Sequence, residues 1–422
     1  LFILNGVILH NSDEEKMMKK ISEDVLTSIE FNVSYEHNGI CHTDGYYGQR
    51  INLWRDILPQ QLLEKILGKQ TGDQVVLDIN PSTWVAVRDE RKIYEFHQRQ
   101  VSGLSPQVDP IHPRFGRFYP LGILKNVVGV FPNNMTPFRC ISDNDAGLKA
   151  DANHPLTEKP LQFKAIIRDV REKFEEHGGT SIDWVEAALS GPGMQTRVNG
   201  SPTDFFAGHP FRRADENPDS LFYKNPRMVN HIDDTAIDKI RRLYGKLIQP
   251  QSRVLDLMSS WVSHLPEDLS LKSITGLGMN QKELEANSRL TDYVVHDLNA
   301  NPRLPFNDND FDAVICTVSI EYLIHPFEVF AEIYRVLKSG GIFVVTFANR
   351  WFPPKVINVW TELHEFERMG LVLEFFLKSS QYENIHTYSM RGLPRPKDDK
   401  YYAQILFSDP VYAVWGYNQK NS

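Results

Sequence analysis

Four places in the carboxyl-terminal half put small or acidic residues directly after a short apolar run. Val254-Leu255-Asp256-Leu257-Met258-Ser259-Ser260-Trp261 ends on a carboxylate and small side chains, so backbone amides can approach a ligand while Asp256 waits beside it. Ser273-Ile274-Thr275-Gly276-Leu277-Gly278-Met279-Asn280 comes next, then Asp297-Leu298, then Thr317-Val318. Each alone reads equally well as a strand end whose polar residue caps the following helix. Beyond the fourth run lie Ser319, Glu321, Tyr322 and His325, and further on Asn349, Arg350, Trp351 and Lys355, a set able to move a proton or orient a polar group. His325 precedes Pro326 at a helix entry and also reads as a surface loop residue. Trp351, Phe352 and Trp360 suit either a pocket wall or the core. Asp233-Asp234 and Arg241-Arg242 read most simply as solvated charges. No motif suggests a metal: Cys41, Cys140 and Cys316 are far apart, and no CxxC spacing occurs.

The elements that must hold these residues follow from the pattern. Arg253 to Leu257, Ser273 to Leu277, Tyr293 to His296, Asp312 to Val318 and Ile342 to Phe347 read as strands with helical segments between them. That alternation predicts a doubly wound α/β domain with a Rossmann-like parallel sheet, whose ligand sits beyond the carboxyl ends of the strands at the switch point. No GxGxxG follows a strand, which argues against a nicotinamide cofactor. At the other end, Leu1 to Leu9 suggests a strand or a frayed terminus. Residues 13 to 30 suggest a helix, with Met17, Ile21, Val25 and Ile29 four apart. Short strands are expected from Phe31. Between Phe174 and Pro226, Gly178-Gly179, Gly191-Pro192-Gly193 and Asn199-Gly200-Ser201-Pro202 mark a boundary.

Composition agrees with two domains. A chain of 422 residues exceeds one ordinary core, and 41% hydrophobic with 24% charged residues is a globular balance. The net charge of −8 argues against broad nucleic-acid binding. No apolar run is long enough to span a membrane. Few, scattered cysteines suit a reduced, cytoplasmic setting.

Taken in order, the motifs resemble a family. Asp256 with its small loop, Gly276-Leu277-Gly278, Asp297 before Leu304-Pro305-Phe306, Phe311-Asp312 before a fourth strand, and Arg335-Val336-Leu337-Lys338-Ser339-Gly340-Gly341 before a fifth are similar to class I methyltransferases of the type 11 family. Ser259 to His264 resemble a plant and cyanobacterial subgroup. The resemblance covers roughly residues 225 to 420 and implies S-adenosylmethionine as cofactor. It implies that Asp256 lies near the methionine amino group, that Asp297 and Leu298 flank the adenine, and that Thr317 and Val318 line the cofactor. Met258, Ser259 and Ser260 stand where a glycine-rich loop is usual. The family carboxylate for the ribose falls at Gly278, so Asn280 or Glu283 is expected to replace it, with Met279 between. The methyl acceptor is left unknown, with Tyr322, His325 and Arg350 as catalytic candidates.

A second resemblance covers about residues 25 to 173. Val33-Ser34-Tyr35, Asp44-Gly45, Leu63-Glu64-Lys65 and Asp151-Ala152-Asn153-His154-Pro155-Leu156 are similar to FKBP-type prolyl isomerases of the SlyD kind. It implies an FKBP-like α+β domain whose pocket includes Tyr35 and Trp84. It also implies an insert-in-flap chaperone unit at about 88 to 149, apolar enough to bind unfolded or proline-containing polypeptide. Tyr46-Tyr47-Gly48-Gln49 replaces the expected Phe-Asp pair, so weak isomerase activity is expected. The resulting division is an extension at 1–30, the FKBP-like domain at 31–175, a linker at 176–225 and the methyltransferase domain at 226–422. Two alternatives stay open: a folding factor whose second half only binds cofactor, and an interaction protein with both pockets degenerate.

Overall fold

The computed structural model describes residues 19–103, 111–144, 147–174, 178–191, 196–379 and 381–419. The amino-terminal half runs β1 (Val25–His37), β2 (Ile40–Asn52), α1 (Gln60–Ile66), β3 (Gln74–Ile79), β4 (Ile93–Phe96), β5 (Phe118–Pro120), β6 (Pro137–Asn144), β7 (Gly147–Asp151) and β8 (Leu161–Glu172). β1 pairs antiparallel with β2 and with β8, and β8 with β3. Asn38 and Gly39 join β1 to β2 with φ of 51° and 73°, the left-handed pair that a two-residue hairpin needs. Ile29, Phe31 and Val33 alternate into a core with Leu62, Ile66 and Phe163.

The helix expected over 13 to 30 is not formed where it is described. Val25 opens a strand. A spacing of four fits a strand face as well as a helix face, since it is a multiple of two, and the ladder to β8 decides between them. Met17 and the run Leu1 to Leu9 lie outside the described residues.

The order β4-β7-β6-β5 makes a separate four-stranded sheet within the span expected for the insert. Its core holds Phe96, Leu121, Ile123 and Phe138. Val128 and Phe131 remain outside it, 94% and 72% exposed. A buried ion pair, Arg117 Nε to Glu367 Oε1 at 2.9 Å, fixes the unit to the carboxyl-terminal half, helped by Phe118 edge-on to Phe366 at 5.3 Å.

That half runs α2 (Trp184–Leu189), α3 (Asp219–Phe222), α4 (Asp234–Leu247), β9 (Arg253–Leu257), β10 (Ser273–Gly278), α5 (Gln281–Ala286), β11 (Asp292–Val295), β12 (Phe311–Thr317), α6 (Pro326–Val336), β13 (Leu337–Phe347), α7 (Asn358–Glu362), α8 (Glu365–Ser379), β14 (Tyr382–Arg391) and β15 (Val411–Asn418). Among the described residues one sheet takes the order β11-β10-β9-β12-β13-β15-β14-β2-β1-β8-β3. β11, β10, β9, β12 and β13 are parallel, and β15 enters antiparallel between β13 and β14. The five strands expected here are all present within a residue or two, except that β13 begins earlier. The sheet also crosses the expected linker. β14 pairs parallel with β2 from His386↔Cys41 to Arg391↔Tyr46, tied by His42 Nδ1 with Thr387 Oγ1 at 2.8 Å and Ser389 Oγ donating to Asp44 Oδ1 at 2.7 Å. Trp184 of the linker span is buried in the amino-terminal core and Phe205 in the carboxyl-terminal one. No helix among the described residues is long and apolar enough to cross a membrane.

Candidate active site

β9 has β10 on one side and β12 on the other, so the chain reverses its winding there and leaves a crevice at the strand ends. A cavity enclosing about 1190 Å³ lies in that crevice. Asp256, Met258, Ser259, Ser260, Gly278, Met279, Asn280, Asp297, Leu298, Thr317 and Val318, eleven of the twelve residues expected to hold the cofactor, line it. Met258 and Val318, just beyond β9 and β12, have φ of 56° and 49°. A β-branched side chain rarely takes that conformation, and such strain concentrates at binding sites.

Asp256 is 4% exposed. Ser259 and Ser263 donate their hydroxyls to its Oδ2 at 2.7 and 2.5 Å. Oδ1 receives no hydrogen bond from the described residues. Burial raises this carboxyl to about 6, against the opposing bonds from Ser263 and Ser259. The serines thus do what glycines do elsewhere by another route: they fold the loop onto the strand end and hold the acid through one oxygen, leaving the other for a ligand.

Gly278 is glycine for a steric reason. A Cβ there would lie 2.2 Å from the carbonyl oxygen of Ser259, whose amide bonds Leu277 O at 2.7 Å. The loop occupies the space where the family's carboxylate would stand. Of the two expected replacements, Asn280 is engaged: its Oδ1 accepts from Glu283 N at 3.3 Å, capping α5, and its Nδ2 donates to Tyr223 O at 2.8 Å. Glu283 lines the cavity while accepting from Ser260 Oγ at 2.6 Å and Arg227 N at 2.7 Å. Its carboxylate keeps lone pairs for further donors. Gly276 does not line the cavity, because it makes room for Leu290, 2.5 Å from where its Cβ would be.

The facing wall comes from residues 219 to 232, of which 219 to 225 were read from sequence as the end of a linker. Asp219, 4% exposed, accepts from Arg213 Nη1 at 2.8 Å and Asn299 Nδ2 at 2.8 Å, and lies 3.1 Å from Lys355 Nζ. Burial alone would raise its carboxyl, but these donors hold it below the usual range. Lys355, wholly buried, also donates to Asn217 O at 2.7 Å. The Arg227 guanidinium lies over Phe222 at 4.3 Å and Phe352 at 5.0 Å. Trp261 Nε1 donates to Val229 O at 3.2 Å, joining this strap to the β9 loop. Tyr223, His231, Tyr322 and Phe352 give the cavity an aromatic side. Burial keeps His231 below its usual value and therefore neutral.

Among the catalytic candidates Ser319 and Tyr322 line this cavity, the hydroxyl of Tyr322 accepting from Phe352 N at 2.8 Å. His325 stands at the start of α6 with its side chain 43% exposed. Arg350 pairs with Asp409 at 3.1 Å and lines a separate surface cavity. Glu321 is 1% exposed, neither oxygen has a hydrogen-bond partner, and burial raises it to about 8, so it is a neutral acid behind the β12 loop at ordinary pH. In the amino-terminal half, Tyr35 is 6% exposed and stacks on His42 at 4.8 Å, while Trp84 packs edge-on against Phe163 at 4.8 Å. Tyr35 belongs to that half's core and Trp84, half-buried, packs against it. Sequence reasoning missed Tyr223, Arg227, His231 and Glu283's partners in the strap. Only the aromatic and basic content of Phe222-Tyr223-Lys224 to Arg227 could have signalled them.

Comparison with known proteins agrees with the strand-end half of the site. Residues 259–345 match a family model described as a methyltransferase domain. Over those residues the chain resembles a methyltransferase domain. It is 31% identical over 95 residues to a malonyl-[acyl-carrier protein] O-methyltransferase of Marinomonas sp. (strain MWYL1), covering 20% of this chain and 35% of that protein. It is 33% identical over 109 residues to cycloartenol-C-24-methyltransferase 1 of Oryza sativa subsp. japonica, covering 23% and 31% respectively. The chain spans about a third of the length of these curated relatives. Among solved structures, the [4+2]-cyclase SpnF aligns with 18% identity and a TM-score of 0.32, over 48% of this chain and 91% of that one. S-adenosylmethionine is the cofactor of the methyltransferase domain, and the site suits it: a buried carboxylate with one free oxygen faces the cavity where a cationic amino group would need it.

Proposed function

We propose that this chain transfers a methyl group from S-adenosylmethionine to an acceptor that enters against Tyr223, Tyr322 and Phe352. Asp256 carries the reading, because a carboxylate left with one unbonded oxygen in a cavity at the switch point needs a cationic donor. When bound, the cofactor supplies a methyl group on an already activated sulfonium, so the protein has mainly to align and to exclude water. Asp256 Oδ1 takes the ammonium. Glu283 takes the ribose hydroxyls in place of the carboxylate that Gly278 cannot carry, Asp297 and Leu298 flank the adenine, and Thr317 and Val318 line the rest. The aromatic side seats the acceptor. Neutral His231 receives a proton if the acceptor must lose one.

The test uses methyl-labelled cofactor with extracts of the source cells. Wild type is expected to label an acceptor, and Phe352→Ala is expected to abolish labelling while binding S-adenosylhomocysteine within about threefold of wild type. Failure of wild type to bind S-adenosylhomocysteine would overturn the reading. The isomerase reading of the amino-terminal half rests on its resemblance, and the packed Tyr35 and Trp84 lend it no open pocket.

A further inference from the structure

A third cavity, of about 640 Å³ and open to solvent, lies where the far end of β1, the four-stranded unit and residues 196–199 meet. Four cations line it: Arg88, Arg139, Lys159 and Arg197. Two are neutralised. Arg88 pairs with Asp151 and Glu90, both at 3.0 Å, and Arg197 forks onto Glu374 at 2.7 and 2.6 Å.

The other two make no ion pair among the described residues, although Glu367 and Asp151 act on Arg139, and Glu158 on Lys159, from a distance. Arg139, on β6, is 7% exposed. Its Nε donates to Gly116 O at 2.9 Å and its plane lies 5.0 Å from the Phe118 ring centre, but its Nη2 is buried with no partner. The acids nearest in the fold are taken: cross-strand Asp151 serves Arg88 and Asn153, and Glu367 serves Arg117 and the Phe118 amide. Lys159 Nζ lies 2.8 Å from His37 Nδ1. A charged ammonium must be the donor there, so Nδ1 accepts and the ring's proton sits on Nε2, facing Arg197 O at 3.3 Å. His37 is thus a neutral partner that cancels no charge. Glu158 is exposed at the rim and makes no ion pair among the described residues.

Buried guanidinium N–H groups are almost always satisfied, and an uncompensated buried charge is strongly unfavourable. Burial lowers Arg139 to about 10 against the raising effect of Glu367, Tyr35 and Asp151, and burial with Arg139 nearby lowers Lys159 against that of Glu158, so the distant acids do not compensate either cation. We propose that this cavity is an oxyanion site that takes a dianionic phosphate group, held between the Arg139 guanidinium and Lys159. Two unneutralised cations match a dianion, and a planar guanidinium edge matches phosphate oxygens. Because Arg139 belongs to the four-stranded unit and Lys159 leads into β8, an anion held by both ties that unit to the main sheet.

The test is calorimetric titration of the full chain at constant ionic strength and neutral pH with inorganic phosphate, glycerol phosphate and, as a monoanion control, acetate. Saturable phosphate binding at least about tenfold tighter than acetate is expected. Tighter binding of the ester would identify a phosphorylated metabolite as the ligand, and equal or weaker binding free phosphate. Arg139→Gln and Lys159→Gln are each expected to weaken phosphate about tenfold or more while leaving S-adenosylhomocysteine binding unchanged. Lys159 is partly exposed, so its variant decides the matter if Arg139→Gln does not fold. Absence of saturable phosphate binding to wild type, or undiminished binding by Lys159→Gln, overturns the site.

Discussion

The two walls of the methyltransferase cavity are built in different ways. The strand-end wall is local: Asp256, Ser259 and Ser263 lie within eight consecutive residues, and the parallel ladder β10-β9-β12 sets where each projects. The strap wall is assembled over long separations, by Asp219 with Asn299 and Lys355 and by Arg227 with Glu283. A backbone ladder and neutral serine hydrogen bonds fix the first wall, whereas buried charges fix the second. The strap should therefore fail first when one charge is removed.

Asp219→Ala is the most direct way to break that contrast. It leaves Arg213 buried without its counter-charge while Lys355 keeps Asp215 at 3.1 Å, and an uncompensated buried charge usually costs ~3–5 kcal/mol. The unfolding midpoint in urea should fall accordingly, and S-adenosylhomocysteine should bind more weakly because Tyr223 and Arg227 lose their anchor. A loss below about 1 kcal/mol with unchanged binding would mean that packing, not charge, holds the strap.

The same contrast explains what could be read in advance. That eleven of the expected positions would line one cavity was legible because strand, acid and small loop recur in a fixed order and the switch-point geometry does the rest. Arg350 and His325 were misplaced since a position after a strand or before a helix does not tell which way a long side chain turns. The start of the strap, to residue 225, was read as linker because Asn217-Pro218 and the glycines upstream of it are real turn signals, while its anchors lie up to about 140 residues away in sequence. The pairing of β14 with β2 was equally hidden, since partners 345 residues apart leave no spacing to detect. Val25 and Ile29 misled for the opposite reason: a spacing of four fits both periods.

A sharper probe of the strand-end wall restores the family residue. Gly278→Asp gives the position the carboxylate that the resemblance leads one to expect, yet its Cβ would meet the Ser259 carbonyl at 2.2 Å. Backbone cannot yield there as a flexible side chain would. Overpacking of this kind costs ~1–3 kcal/mol, so the substitution should lower both stability and cofactor affinity. Tighter S-adenosylmethionine binding by this variant in calorimetry would show that the serine loop moves aside. In that case the free carboxylate, not the loop, would be the limiting feature.

The smallest effect expected is also the one most specific to Asp256. Its folded carboxyl titrates near 6, above the ordinary carboxylate value of 3.8, because it is buried and only serine hydroxyls reach it. Neighbouring Tyr244 and Cys316 are both raised by burial and stay neutral, so they supply no compensating charge. For the free protein the raised value means that this group's stabilisation is full below about 3.8 and is lost as pH rises through about 6. Cofactor binding has the opposite sign. A cationic amino group needs the ionised acid, so the affinity for S-adenosylhomocysteine should be constant above pH 6 or so and fall below it by up to about tenfold per pH unit. Asp256→Asn should bind weakly at every pH and lose the bend, since an amide has no proton to release in this range. A calorimetric series from neutral to mildly acid pH distinguishes the cases. A bend that persists in the asparagine variant would assign it to another group, with His231 at the opposite wall the first to replace.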